Sequence, residues 1–210
     1  MARQPRSPDA SYQGSQPDAE PDNFTPATEE LTLNHDVSDF LCAREPEAVS
    51  YLKTEIWDFL RSRCGTAYVL PSFGRPGKID GYYHLSGSSL TRGQLQNRDQ
   101  KSVSTGLTLP VYTIAWLARD DRAEKGTGAA LIIEAAKRAR SLFPTYGLTL
   151  YARNQSLITF YAKYGFKVVR NLKQEMDSGA GLTSMPPYLM YAPYEALIES
   201  GSCRVPGWWI

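Results

Sequence analysis

The chain has 210 residues, 42% hydrophobic and 21% charged, which suits one domain of about 150 residues with extensions. The formal net charge of +1 divides into −4 on residues 1–30 and +5 on the remainder, too weak a basic excess to mark a nucleic-acid binder by itself. No run approaches the ~18 apolar residues of a membrane span and no apolar stretch opens the chain, so a cytoplasmic protein is expected, with no membrane partner.

Residues 1–30 hold no Leu, Ile or Val, and carry Pro5, Pro8, Pro17, Pro21 and Pro26 among Ser, Gln and Asp. Such a segment cannot bury enough apolar surface to offset its ordering entropy, so it is expected to be a disordered acidic tail. Structure should begin near Leu31 to Leu33. Pro46 to Cys64 has apolar Val49, Leu52, Ile56 and Phe59/Leu60 at helical spacing, and Gly65 ends it. Strands are expected at Thr66–Leu70 and Lys78–Leu90, with turn residues Pro71 to Gly77 between them. Thr91 to Leu109 is a long polar connection, of the kind that is often functional or mobile.

Val111 to Ala118 is rich in β-branched and aromatic residues and reads as a strand. It runs through Asp120–Lys125 into Gly126-Thr127-Gly128, and a helix follows with Ile132, Ala135, Ala136, Ala139 and Phe143 in helical period before Pro144. Leu148–Ala152 is the next strand. Ser156 can cap a short helix bearing Leu157, Phe160, Tyr161 and Tyr164, with Gly165 just beyond it. Phe166–Val169 and Tyr188–Tyr191 are the last strands expected.

Cys42, Cys64 and Cys203 form no CxxC or Cys/His cluster with the two histidines, His35 and His84, so no metal site is expected. The strand–glycine turn–helix unit is the strongest chemical feature. Backbone N–H groups converge at a helix N-terminus, where the dipole favours an anion such as a phosphate. Leu131 excludes the dinucleotide fingerprint, and Lys125 lies on the wrong side of Gly126 for a Walker loop. The second feature is Leu148-Thr-Leu-Tyr-Ala-Arg-Asn154 followed by Phe160-Tyr161-Ala-Lys-Tyr164-Gly165-Phe166. A tyrosine with an ordinary pKa of about 10 is protonated near neutrality and can act as a general acid.

Together these two features resemble the GNAT superfamily of N-acetyltransferases. The resemblance covers about residues 31–192, with 111–169 as its specific part. It implies an α/β (α+β) fold: a mixed, mostly antiparallel central sheet flanked by helices, with 193–210 as a C-terminal extension. It implies acetyl-CoA as co-substrate. It gives the pantetheine arm to the strand Leu117, Ala118 and Arg119, and the pyrophosphate to the loop Glu124, Lys125, Gly126, Thr127, Gly128 and Ala129. It places Asn154 beside the cofactor and makes Tyr161 the acid that protonates the departing thiolate. One departure stands out: the loop usually opens with Arg or Gln, but Ala123 stands there, Arg122 is one place early, and the turn from Asp120 is a residue short.

A narrower resemblance joins His35-Asp-Val-Ser-Asp-Phe40-Leu-Cys, Asp80-Gly81-Tyr82-Tyr83-His84-Leu85 and Leu109-Pro-Val-Tyr-Thr-Ile-Ala-Trp-Leu-Ala118 to the bacterial GNAT toxins of toxin–antitoxin pairs. That resemblance implies an aminoacyl-tRNA acceptor, a ribbon–helix–helix antitoxin and, as a further expectation, a homodimer. Arg92, Arg98, Lys101, Arg119, Arg122, Lys137, Arg138, Arg140 and Arg153 are the cations available for tRNA phosphates. No carboxylate motif announces a base; Asp36, Asp80 and His84 are candidates. An α-amino group, at roughly 7.7–8.0, needs no strong base, whereas a lysine amine at about 10.4 does. A small-molecule or protein amine is the alternative acceptor, and a non-catalytic ligand-binding module the third reading. Trp208 and Trp209 are expected to pack back on the domain or to face a partner.

Overall fold

The computed structural model describes residues 27–169 and 188–201. One seven-stranded sheet runs through it in the order β1-β2-β3-β4-β5-β7-β6. The strands are β1 (Glu29–Glu30), β2 (Thr66–Pro71), β3 (Ile79–Thr91), β4 (Thr108–Arg119), β5 (Gly147–Ala152), β6 (Lys167–Val168) and β7 (Tyr188–Pro193). Only β4 and β5 pair in parallel. Every other ladder is antiparallel. The parallel pair is where the chain must cross over, and helix α4 (Thr127–Leu142) makes that crossing. The expected mixed, mostly antiparallel sheet flanked by helices is thus present.

The sheet is buried on both faces, which the side-chain period of two explains at β3. Tyr82 and Tyr83 are neighbours, both fully buried, and belong to different clusters. Tyr83 packs with Leu131, Ile132, Ala135 and Ala139 of α4. Tyr82 packs with Phe40, Ala48, Leu52 and Ile56, and its hydroxyl donates to Ala48 O at 2.7 Å. A third cluster, with Leu90, Leu95, Val103, Leu109, Val111 and Tyr191, lies under the 92–107 connection.

The N-terminal helix has three parts: α1 (Pro46–Ser50), a π-helical stretch (Tyr51–Glu55) and α2 (Ile56–Arg61). The wide turn shifts the phase, so Tyr51, Leu52 and Ile56 are buried while Phe59, expected on the same face, is exposed. The crossover helix ends at Leu142 rather than at Phe143, whose backbone is extended and whose ring is exposed. Helix α5 (Gln155–Ala162) is capped not by Ser156 but by Asn154, whose Oδ1 accepts from Leu157 N–H at 2.9 Å.

Both expected domain boundaries move. Thr28 is buried, its hydroxyl is hydrogen-bonded to that of Tyr83 at 3.0 Å, and Glu29–Glu30 pair with Val69 and Tyr68. The folded part therefore starts before Leu31, because an edge strand needs backbone groups rather than apolar side chains. At the other end β7 continues to Pro193, and helix α6 (Tyr194–Gly201) places Leu197 in the core, so residues 193–201 are no extension. Residues 1–26 and Trp208–Trp209, for which a tail and a packing role were expected, lie outside the described residues. The 92–107 connection is fastened rather than loose. Two short helices lie in it, a 3₁₀ turn (Arg92–Gln94) and α3 (Asn97–Gln100). Tyr191 donates to Asp99 at 2.5 Å and accepts from Gln96 N–H at 2.8 Å, and Lys167 pairs with Asp99.

Candidate active site

The site begins where the parallel ladder stops. β4 and β5 pair only through Tyr112–Ile114 and Leu148–Leu150. Past that point Trp116, Leu117, Ala118 and Arg119 pair with His84, Tyr83, Tyr82 and Gly81 of β3, while Tyr151 and Ala152 pair with β7. The register shifts at the same place, with Ala115 left between Ile114 and Trp116 against consecutive Leu85 and His84. The β5-facing edge of Leu117–Arg119 is thus a strand edge with no ladder, open to an extended ligand bearing amides.

The chain then turns at Asp120 and reaches α4. Gly126 is the N-cap at φ 107°, a left-handed conformation that favours glycine. Glu124 serves the turn through its carbonyl, which accepts from the Thr127 N–H and hydroxyl at 3.2 and 2.8 Å. Ala129 N–H is used as well, bonding Gly126 O at 2.8 Å. The N–H groups of Lys125, Gly126 and Gly128 have no hydrogen-bond partner among the described residues. A Cβ at Gly128 would meet only Phe160, 3.9 Å away, so the protein's own packing does not require glycine there. Bare N–H groups, a 16-residue helix behind them and space at Gly128 fit a phosphate-bearing ligand.

Phe160 is the link to α5, whose next residue is Tyr161. Tyr161 is 7% exposed, packed beside Phe160 and Phe166, and its hydroxyl has no partner among the described residues. Burial, with a smaller contribution from the Glu45 carboxylate, pushes it up to about 12. It is therefore a protonated, uncommitted donor at neutral pH. Asn154, expected at the cofactor, has its carbonyl oxygen committed to capping α5.

Sequence reasoning missed what lies across the opening. Arg153, at the end of β5, sets its guanidinium over the Trp116 ring of β4, 4.9 Å from the centroid. It also pairs with Glu47 of α1, and with Glu45 at 3.7 Å. Trp116 in turn stacks on Tyr51 at 4.9 Å, and Tyr51 is hydrogen-bonded to His84 Nδ1 at 2.7 Å. Arg153 thus spans from β5 to β4 and α1. A cation two residues before a helix and an aromatic on the neighbouring strand is the signal that could have found it.

Two of the three candidate bases are engaged elsewhere. Asp36 is held well below the usual carboxylate range by Lys78 and Ser38. Asp80 pairs with Arg75 at 2.7 Å. His84 is buried, which pushes its pKa down, and its Nε2 has no partner. Most of the cations counted for tRNA are tethered too. Arg92 donates to Gln100 and Val103 carbonyls, Arg138 to Thr28 O, and Lys137 pairs with Glu134. Arg119, Arg122 and Arg153 are held by neighbours, which leaves Arg98, Lys101 and Arg140 without such a tether among the described residues. Among those residues no cluster of His, Cys, Asp and Glu could hold a metal, and no helix is long and apolar enough to cross a membrane.

The fold has counterparts among solved structures. A Tyr→Phe mutant of KacT matches with a TM-score of 0.65 at 23% identity, covering 82% of this chain and 97% of that one. AtaT complexed with acetyl-methionyl-tRNAfMet matches with a TM-score of 0.65 at 24% identity, over 82% and 97%. A Tyr→Phe mutant of the AtaT toxin bound to acetyl-CoA and the C-terminus of the antitoxin AtaR matches at 0.59 and 23%, over 81% and 94%. The chain has the GNAT fold. No protein-family model and no curated protein matches the sequence.

Proposed function

We propose that this chain is an acetyl-CoA-dependent N-acetyltransferase of the toxin type, acting on the amino group of aminoacyl-tRNA. The observation that carries the reading is the unladdered edge of Leu117–Arg119 running into the unpartnered N–H groups of Lys125, Gly126 and Gly128. An edge strand followed by an anion site matches an amide-bearing arm that ends in a diphosphate. The GNAT fold and the AtaT complexes with acetyl-methionyl-tRNAfMet, and with acetyl-CoA and the C-terminus of the antitoxin, support donor, acceptor and partner together.

Bound acetyl-CoA supplies a thioester, whose C–S bond breaks as the acceptor nitrogen bonds the acetyl carbon. Leu117–Arg119 hold the arm in an extended path, and the loop fixes its anionic end. Tyr161 gives its proton to the departing thiolate. The acceptor nitrogen loses a proton to solvent, and the phenol is protonated again from the same source. A thiol of pKa near 8.5 is a fair leaving group, so the acid assists rather than enables. Asp36 and Asp80 are held in ion pairs and offer no free carboxylate base, which favours an α-amine, already largely neutral near pH 8.

The reading is tested by offering radiolabelled acetyl-CoA with mixed aminoacyl-tRNA, with polyamines and with a lysine peptide. Acetylation of aminoacyl-tRNA far above the other two is expected. Turnover of the small amines alone would remove the toxin reading and leave an acetyltransferase for a small-molecule or protein amine. A ribbon–helix–helix antitoxin remains the proposed partner, and co-purification with the product of a neighbouring small gene checks it. The cytoplasm is the proposed compartment and a homodimer the proposed state.

A further inference from the structure

The loop lacks a cation at Ala123, yet it is held in place, and the residues that hold it are identifiable. Asp120 is completely buried where β4 turns into the loop. Its Oδ1 accepts from Arg122 N–H at 2.9 Å and Arg122 Nε at 2.7 Å. Its Oδ2 accepts from Arg122 Nη2 at 2.8 Å and Leu41 N–H at 3.1 Å. Arg122 goes on to Asp39, reaching Oδ2 at 3.1 Å and the carbonyl at 2.7 Å. Arg119 Nη1 donates to the carbonyls of Asp120 and Ala123 at 3.3 and 3.2 Å. The turn is therefore gripped by two of its own guanidinium groups, and Arg75 Nη2 stands 3.8 Å from Asp120 Oδ1 as a third. Burial would push the Asp120 carboxyl up, but the hydrogen bonds from Arg122 and Leu41 outweigh it and hold it at about 2. The first loop cation with no ion pair or side-chain hydrogen bond among the described residues is Lys125.

We infer that Asp120 and Arg122 are positioning residues for the phosphate loop, and that Lys125, not Arg122, is the side chain that meets the diphosphate. This rests on the acetyl-CoA reading above. Arg122 spends Nε, Nη1 and Nη2 on Asp120 and Asp39, so its charge is neutralised inside the turn. The effect on the ligand is indirect: the bidentate grip orders the backbone that carries the unpartnered N–H groups of Lys125, Gly126 and Gly128.

The experiment compares acetyl-CoA with acetyl-pantetheine, which lacks the diphosphate, as donors for wild type, Asp120→Asn, Arg122→Ala and Lys125→Ala, each over a salt series. The Arg122 side chain is 41% exposed, so Arg122→Ala is the variant that keeps the test open if Asp120→Asn fails to fold. Both positioning variants are expected to raise the KM for acetyl-CoA about ten- to hundredfold, with kcat and the KM for acetyl-pantetheine within about threefold. Lys125→Ala is expected to raise the acetyl-CoA KM about tenfold and to flatten its salt dependence, which Arg122→Ala leaves as in wild type. Equal losses toward both donors would make the network merely structural and overturn the inference. A flattened salt dependence in Arg122→Ala would make that arginine a direct ligand and overturn it too, as would unchanged KM values. Wild type that neither binds nor uses acetyl-CoA would instead remove the parent reading, and this inference with it.

Discussion

A phenol of ordinary pKa, about 10, would lose its proton on the alkaline side of the range in which an α-amine is most reactive. Tyr161 does not, because burial and the nearby Glu45 carboxylate raise it to about 12. The sign matters for activity. The acceptor, an acid of pKa about 8, becomes competent as pH rises, and the phenol stays protonated until far above it. The kcat/KM profile is therefore expected to climb through pH 7–8 and to stay level to at least pH 10. A falling limb between pH 8 and 10 would mean a different acid. The position of Tyr161 was legible from Phe160-Tyr161 and the glycine stop at Gly165, but its uncommitted hydroxyl was not, since that depends on which groups fail to reach it. Asn154 shows the reverse case. The resemblance gives it a place beside the cofactor, and the structure adds a second task for its oxygen, capping α5 at Leu157 N–H.

At the scale of elements, β4, its loop and α4 were legible because three local signals coincide: a β-branched strand, a glycine pair and a periodic helix. The parting of β4 from β5 was not, since it is a property of two ladders rather than of either strand. The π-helical stretch Tyr51–Glu55 was equally hidden, for it follows from seating Tyr51, Leu52 and Ile56 on Tyr82 and Trp116. The Glu29–Glu30 strand was missed because its pairing is through backbone alone. The loop gives a sharp expectation. Gly126 sits at φ 107°, so Gly126→Ala costs backbone strain of about 1–3 kcal/mol, and Gly126→Glu adds a negative charge at the anion site. Calorimetry should show acetyl-CoA binding weakened in Gly126→Ala and lost in Gly126→Glu. Equal binding in all three proteins would place the diphosphate elsewhere.

For the molecule as a whole, the sheet is closed at its N-terminal edge by residues the composition had assigned to a tail. Thr28 carries two links, its hydroxyl with Tyr83 and its carbonyl accepting from Arg138 at 2.9 Å. Each such buried bond is worth about 1 kcal/mol. A protein starting at residue 27 is expected to melt with the full-length chain, since residues 1–26 hold no Leu, Ile or Val. One starting at Leu31 should melt roughly 2–8 °C lower, from the loss of about 1–2 kcal/mol in a domain of this size. Equal melting of all three would show that β1 adds nothing to the fold. The comparison with full-length protein also reports on 1–26, where a large loss from the first cut would contradict the compositional reading.

The single most direct measurement is the rate of acetyl transfer to aminoacyl-tRNA by wild type and Tyr161→Phe under single-turnover conditions. The ring still packs between Phe160 and Phe166, so folding and acetyl-CoA affinity should hold within about a few-fold. The rate should fall by about 10²–10⁴, the usual worth of a general acid. Equal rates in the two proteins would contradict the role given to Tyr161, and absence of transfer by wild type would contradict the proposed activity itself.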